Sequence, residues 1–180
     1  MLNPTSSNTV VSFDDELLIA VDPEDNVRGY PSKVEAHMGS GTLHRAFSIF
    51  LFNDNNEVLL QKRSKTKLLW PEYWSNSCCS HPRKGEELHQ AVQRRLTEEL
   101  GCTAELDFVY RFTYHARYLD IGSEHELCSV YVGTTSELIK PNEREVARLF
   151  GAKDLDSSRS RLLHAVVQIR MATNEERGAT

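Results

Sequence analysis

Apolar positions along the chain gather into short runs separated by turn-forming residues. Glu16–Val21 (ELLIAV) reads as a short apolar strand, closed by the turn-rich Asp22-Pro23-Glu24-Asp25-Asn26 and followed by a second short extended piece. Pro31–His37 reads as one or two helical turns behind a proline. Ala46–Phe52 and Val58–Lys62 flank Asn53-Asp54-Asn55-Asn56, the pattern of a hairpin. Gly85 to Gly101 predicts a helix, with acids first and glycine at its end. Phe108–Tyr114 and Glu126–Val132 are strand-like runs of aromatic and β-branched residues, and Arg161–Asn174 has helical spacing. Strands predominate over two strong helices, Gly85–Gly101 and the tail. The pattern predicts an α+β chain, a mixed sheet with helices packed on it.

The helix over Gly85–Gly101 breaks its own pattern. At about 100° per residue, Leu88, Ala91, Val92 and Leu96 form one apolar stripe, and Arg95 and Glu99 fall in its middle. An ion pair one turn apart on a partly exposed face contributes only about 0.3–0.5 kcal/mol. That is too little to offset the hydration two charges lose at the centre of the stripe. Charges placed there suggest a ligand or metal arriving over that face.

Composition narrows the class. The chain has 180 residues, 39% of them hydrophobic and 26% charged, which fits one globular domain. Residues 1–15 are expected to be flexible and 16–180 to form that domain. No apolar run reaches the ~20 residues that span a bilayer. Met1–Asp15 has no basic patch or apolar core, so no signal peptide is expected. With 26 acidic against 21 basic residues, the net charge is −5. That balance argues against a nucleic-acid partner, and an anionic ligand would need locally placed Lys and Arg. The four cysteines, Cys78, Cys79, Cys102 and Cys128, show no C-x-x-C spacing. Reduced thiols and a cytoplasmic location are expected.

Seven histidines invite a search for metal ligands. His81 follows Cys79 by two positions and precedes a proline, while Glu124 and Glu126 would project from one face of a strand. Imidazoles with hard carboxylates suit Zn²⁺, Mn²⁺, Fe²⁺ or Mg²⁺ in a five- or six-coordinate site, rather than a thiolate-rich structural zinc site. For any single histidine, a surface or hydrogen-bonded core role is the commoner one. Spacing alone does not show that they converge.

Four motifs supply more. WPEYWSNSCCSHP (70–82) resembles the cysteine motif of the type I isopentenyl-diphosphate isomerases, W-x-x-x-W-T-N-x-x-C-x-H-P. SEHELCSVY (123–131) resembles their E-x-E-x-C segment, LHRAFSIFLFN (43–53) their L-H-x-A-F-S-x-x-L-F-N strand, and SKVEAH (32–37) their S-K-x-x-A-H segment. Together the motifs span residues 16–146 in the family's order, whereas 146–180 match poorly. The resemblance implies a Nudix-like mixed β-sheet sandwiched between helices, and interconversion of isopentenyl and dimethylallyl diphosphate.

Carried over position by position, it implies His37, His44, His81, Glu124 and Glu126 as ligands of one divalent metal (Mn²⁺, Zn²⁺ or Mg²⁺). It implies Cys79 as the catalytic thiol, Tyr114 as support for the catalytic Glu126, and Glu99 as holder of a Mg²⁺ that accompanies the diphosphate. Lys33, Arg63, Lys67 and Arg95 would bind that diphosphate. For isopentenyl to dimethylallyl diphosphate, protonation falls to the Glu126 side and deprotonation to the Cys79 thiolate.

Two rivals remain. The Nudix hydrolase helix would read R-E-U-x-E-E-x-G, but here Arg95 replaces its first glutamate and Ser80 its opening glycine. A metal-ligating carboxylate has become a cation, which weakens a diphosphate-hydrolase reading. The family's C-terminal tryptophan has no counterpart, since Trp70 and Trp74 are the chain's two tryptophans. That departure keeps a prenyl-diphosphate-binding paralogue of reduced activity as the other rival. The expected partner is a small-molecule prenyl diphosphate, without nucleic acid or membrane, bound by a monomer or weak dimer.

Overall fold

A computed structural model describes residues 8–152. Within them lie strands β1 (Ala20–Val21), β2 (Val27–Gly29), β3 (His44–Phe52), β4 (Val58–Arg63), β5 (Trp74–Ser75), β6 (Cys78–Ser80), β7 (Glu105–Tyr118), β8 (Gly122–Thr134) and β9 (Val146–Ala152). Helices are α1 (Lys33–His37) and α2 (Leu88–Leu100). The expected tail helix, Arg161–Asn174, lies outside the described residues.

One mixed sheet runs in the order β2-β1-β3-β4-β5, with β6 and β8 paired to β3, β9 to β4, and β7 to β8. β3 is its spine. It pairs in parallel with β8 from His44↔Glu126 to Phe52↔Thr134, and antiparallel with β6 at Ser48↔Cys79. Its side chains are buried on both faces, which is why its sequence reads as an apolar run without alternation. Phe47, Ile49 and Leu51 pack with Ala91, Val92, Leu96 and Leu100 of α2 on one face. Phe50 joins Phe52, Val58 and Val130 in a second cluster.

The hairpin at Asn53–Asn56 forms as its sequence predicts, with Asn53 Oδ1 accepting from the backbone of Asn55 and Glu57. Only Ala20–Val21 of ELLIAV is a regular strand. Leu17 and Leu18 bridge to two different partners, Ser32 and Arg83, so no single ladder continues through them. α2 starts at Leu88, three residues later than Gly85. Glu86 instead closes the preceding loop, accepting from the Arg83 N–H at 2.9 Å and from Arg94. Gly101 ends α2 in the left-handed region, at φ 62°, where an added Cβ would also lie 2.9 Å from Lys140. β7 and β8 extend well beyond their aromatic middles. Gly122 lets their connecting turn come close to α1, since a Cβ there would sit 2.5 Å from the His37 carbonyl oxygen.

Residues 8–13, expected to be loose, run in irregular conformation, and Val10, Val11 and Ser12 line a cavity. Their carbonyls are taken up by side chains of the body: Asn8 by Arg144, Thr9 by Asn142, and Val11 by both Arg83 and Arg95.

Candidate active site

Four elements converge at one end of β3. α1 is started by a reciprocal cap in which Ser32 Oγ accepts from the Glu35 N–H and Glu35 returns a carboxylate to the Ser32 N–H. That short helix delivers His37 at its last position. His44 opens β3, His81 follows β6 directly, and Glu126 lies on β8 beside His44. One ligand atom from each of His37, His44, His81 and Glu126 lies within 4.8 Å of the others.

The ring orientations suit a cation. His37 Nδ1–H donates to the Lys33 carbonyl at 2.7 Å and His44 Nδ1–H to the Thr42 carbonyl at 2.6 Å. Each bond leaves Nε2 with its lone pair free to face the group. His44 Nε2 is buried without a hydrogen-bond partner among the described residues, an arrangement that costs free energy unless a ligand meets it. Burial, then the neighbouring His81 and His37, holds the His44 pKa well below its ordinary value, so the ring is a neutral donor. Burial also pushes Glu126 up to about 7, and burial with the Glu126 charge pushes Glu124 up to about 8. A divalent cation would reverse both shifts. The donor set fits such an ion.

Glu124, also expected as a ligand, lies outside this four-residue group. It faces Tyr114, whose hydroxyl lies 2.8 Å from Glu124 Oε2 and also within bonding distance of Glu126 Oε2. Tyr114 is the cross-strand neighbour of Glu126 in the β7–β8 ladder.

His37, His81, Glu124 and Glu126 border a cavity of about 400 Å³. Cys79 borders it too and is half-buried, whereas Cys78 is fully buried; all four cysteines are free thiols. Arg63 donates from Nη1 toward Cys79 Sγ at 3.9 Å, and its Nε and Nη2 are tied to the carbonyls of Trp70 and Leu69. Lys33, Lys67 and Arg95 join Arg63 on the wall. Burial and the nearby Lys67 charge lower Lys33 to about 8. Apolar lining comes from residues such as Val10, Val34 and Leu69; neither tryptophan is among the lining residues.

Arg95 and Glu99 are 2% and 3% exposed, so the charges in the apolar stripe are buried. They bind each other through Nε at 3.0 Å and through Nη2. Arg95 also reaches Glu98 at 3.0 Å and Glu145 at 3.3 Å. Its guanidinium borders the cavity, while Glu99 stays behind it and is not among the lining residues. Sequence reasoning missed Glu145 and the irregular segment of residues 8–13 along the cavity. Both contribute through distant partners or through main-chain carbonyls, and no local pattern marks either.

A NUDIX domain model matches residues 42–167. A Photorhabdus laumondii protein named isopentenyl-diphosphate Delta-isomerase 1 is 49% identical over 137 residues, spanning 75% of this chain and 78% of that protein. The chain belongs to the NUDIX family and, within it, to the isopentenyl-diphosphate Delta-isomerases. A second member of that family, from Burkholderia multivorans, is 44% identical over 133 residues and matches 74% of this chain and 75% of its own. Among solved structures, a Deinococcus radiodurans protein superposes with a TM-score of 0.63 at 19% identity, covering 84% of this chain and 89% of that one. The MutT protein of Methanosarcina mazei gives 0.56 at 15% identity, covering 74% and 96%. At those identities the two structures speak for the fold alone, a NUDIX mixed sheet. Among the described residues, no helix is long and apolar enough to cross a membrane.

In a NUDIX hydrolase of the R-E-U-x-E-E-x-G pattern, this helix would present its carboxylates to metal. In this member of the isomerase family, Glu98 and Glu99 are instead bound to the guanidinium groups of Arg94 and Arg95.

Proposed function

We propose that the protein interconverts isopentenyl and dimethylallyl diphosphate, using Cys79 and Glu126 as the proton-transferring pair. The observation that carries this reading is that a free thiol and a buried carboxyl border one cavity whose wall also holds Lys33, Arg63, Lys67 and Arg95. Moving the double bond needs a proton added at the terminal alkene carbon, which leaves a tertiary carbocation, and another proton removed from the carbon on the far side of that cation. Two groups in a water-poor pocket can do both. From isopentenyl diphosphate, the Glu126 side protonates, with Tyr114 orienting the carboxyl, and the Cys79 thiolate takes the second proton. Arg63 donates toward the Cys79 sulfur and fixes the loop beside it. The four cations grip the diphosphate equally in substrate and product, supplying remote binding energy.

His37, His44, His81 and Glu126, with Glu124 alongside, would hold one divalent cation, Mn²⁺, Zn²⁺ or Mg²⁺. Such an ion supplies positive charge that keeps the buried carboxyls ordered and acidic. A Mg²⁺ arriving with the diphosphate would reach Glu99 only once Arg95 gives up that carboxylate. We place the protein in the cytoplasm, where free thiols persist, as a monomer or weak dimer.

The test is to incubate purified protein and Mg²⁺ with isopentenyl diphosphate and follow the allylic protons of dimethylallyl diphosphate by NMR. Release of inorganic phosphate or pyrophosphate without isomer formation would replace the isomerase by a hydrolase.

A further inference from the structure

Two cations of the cavity wall share an acid that no motif singles out. Glu145 borders the cavity yet is only 4% exposed. Its Oε2 pairs with Lys67 Nζ and, at 3.3 Å, with Arg95 Nη2. One oxygen thus serves charges from two different elements, Lys67 from the loop after β4 and Arg95 from α2. Without an anion between them, two like charges this close repel.

The backbone that delivers Glu145 is fixed from several sides. Its carbonyl accepts from Ser64 N–H at 3.0 Å and its N–H donates to the Asn142 carbonyl at 2.9 Å. Thr66 Oγ1 donates to the Arg144 carbonyl at 3.2 Å. The fully buried Asn142 donates through Nδ2 to the Glu98 carbonyl and through its N–H to the Glu99 carbonyl. The segment carrying the carboxylate therefore also joins the Lys67 loop to the end of α2.

A carboxylate in the wall of an anion site has two opposed effects. It repels the incoming anion, and it holds the cations where the anion needs them. The partners decide which is larger. Arg95 keeps Glu98 and Glu99 when Glu145 is neutralised, but among the described residues Glu145 is the acid paired with Lys67. The lysine side chain, 21% exposed on a flexible stem, then has water to turn to. Loss of placement outweighs relief of repulsion.

We infer that Glu145 is a positioning residue for diphosphate, holding the Lys67 ammonium and the Arg95 guanidinium side by side before the ligand arrives. This rests on reading the cavity as a diphosphate site, not on the isomerisation itself.

The experiment titrates inorganic pyrophosphate with Mg²⁺ into the parent protein, Glu145→Gln, Glu145→Asp, Lys67→Met and the Glu145→Gln, Lys67→Met double variant by calorimetry. Melting curves check folding, and steady-state kinetics with isopentenyl diphosphate run beside them. Glu145→Gln should weaken pyrophosphate about tenfold and raise KM by a similar factor, with kcat within about twofold. Glu145→Asp, which keeps the charge, should recover part of the loss. In the double variant the losses should not add, because both changes act on one pair. Equal or tighter binding by Glu145→Gln, additive losses, or a fall in kcat at constant KM would overturn the inference. If the parent binds pyrophosphate but forms no isomer, the proposed function falls while the binding series still decides the role of Glu145. If the parent binds no pyrophosphate, both fall.

Discussion

Cys79 borders the cavity beside Arg63, while Cys78, one residue earlier, is packed among Phe47, Ile49 and the apolar face of α2. Burial, reinforced by the Glu99 charge, pushes the Cys78 thiol well above its ordinary range, so it is a small core side chain rather than a reagent. Cys79→Ala should abolish isomer formation, whereas Cys78→Ala should keep most of kcat and lose about 1 kcal/mol of stability. Assays and denaturant melts of both variants check this, and similar activity losses in the two would remove the single-thiol assignment. Lys33 gives a pH-dependent counterpart. Its folded pKa of about 8 lies below the ordinary 10.5, so its charge is lost as pH rises through about 8. Pyrophosphate affinity should decline over that range. Stability should move the other way, because between about 8 and 10.5 the unfolded chain binds the extra proton and the Lys33 contribution rises with pH. Binding titrations from pH 7 to 9 test the first point, with Lys33→Met as the flat control.

At the scale of elements, α2 shows what a linear pattern can reveal. That Arg95 and Glu99 interrupt an apolar stripe is legible in the residues from Leu88 to Leu96, because helical periodicity is local. Their burial with Glu145, some fifty positions onward, is not, because it depends on how the segment at Asn142 packs against the helix end. The same division holds elsewhere. The Asn53–Asn56 turn carries its own hydrogen-bonding chemistry and is legible directly, whereas the pattern starts α2 three residues early because Glu86 answers to Arg94, eight positions on within the helix. The histidines were legible as candidates, but their convergence became so only through the motif resemblance. Arg95→Ala would strand Glu99 in a buried setting and leave Glu145 to Lys67, and a loss of about 3–5 kcal/mol is expected. It should also remove the thermal stabilisation that pyrophosphate and Mg²⁺ give the parent. A lowered melting point that kept the parent's full ligand-induced rise would leave Arg95 a purely structural ion pair. The turn between β7 and β8 offers a second element-level check. Gly122→Ala forces its new methyl against the His37 carbonyl, so metal content by elemental analysis should fall while the distant hairpin at Asn53–Asn56 keeps its amide protection.

For the whole molecule, the histidine group joins pieces that are far apart in sequence: α1, the head of β3, the exit of β6 and the middle of β8. An ion bound there would cross-link the sheet, so its removal should be felt as lost global stability rather than as a local change. A strong chelator should lower the melting point cooperatively, and the double variant His37→Ala, His81→Ala should purify without the metal and no longer respond to the chelator. Full metal retention in that variant would show the ligand set to be wrong.

The segment 8–13 meets the body through the carbonyl oxygens of Asn8, Thr9 and Val11, a feature every residue type shares. Its route along the cavity is therefore specified mainly by the receiving side chains, Arg144, Asn142 and Arg95, with Ser12 adding a side-chain contact of its own as Lys33 Nζ donates to its hydroxyl. Such a segment can drift in composition while its path persists, so a comparison by identity would discard it as noise. Shortening the chain is a different kind of change from rewording it: scrambling these residues with Ser12 kept in place should cost little, and deleting them should open the site to water.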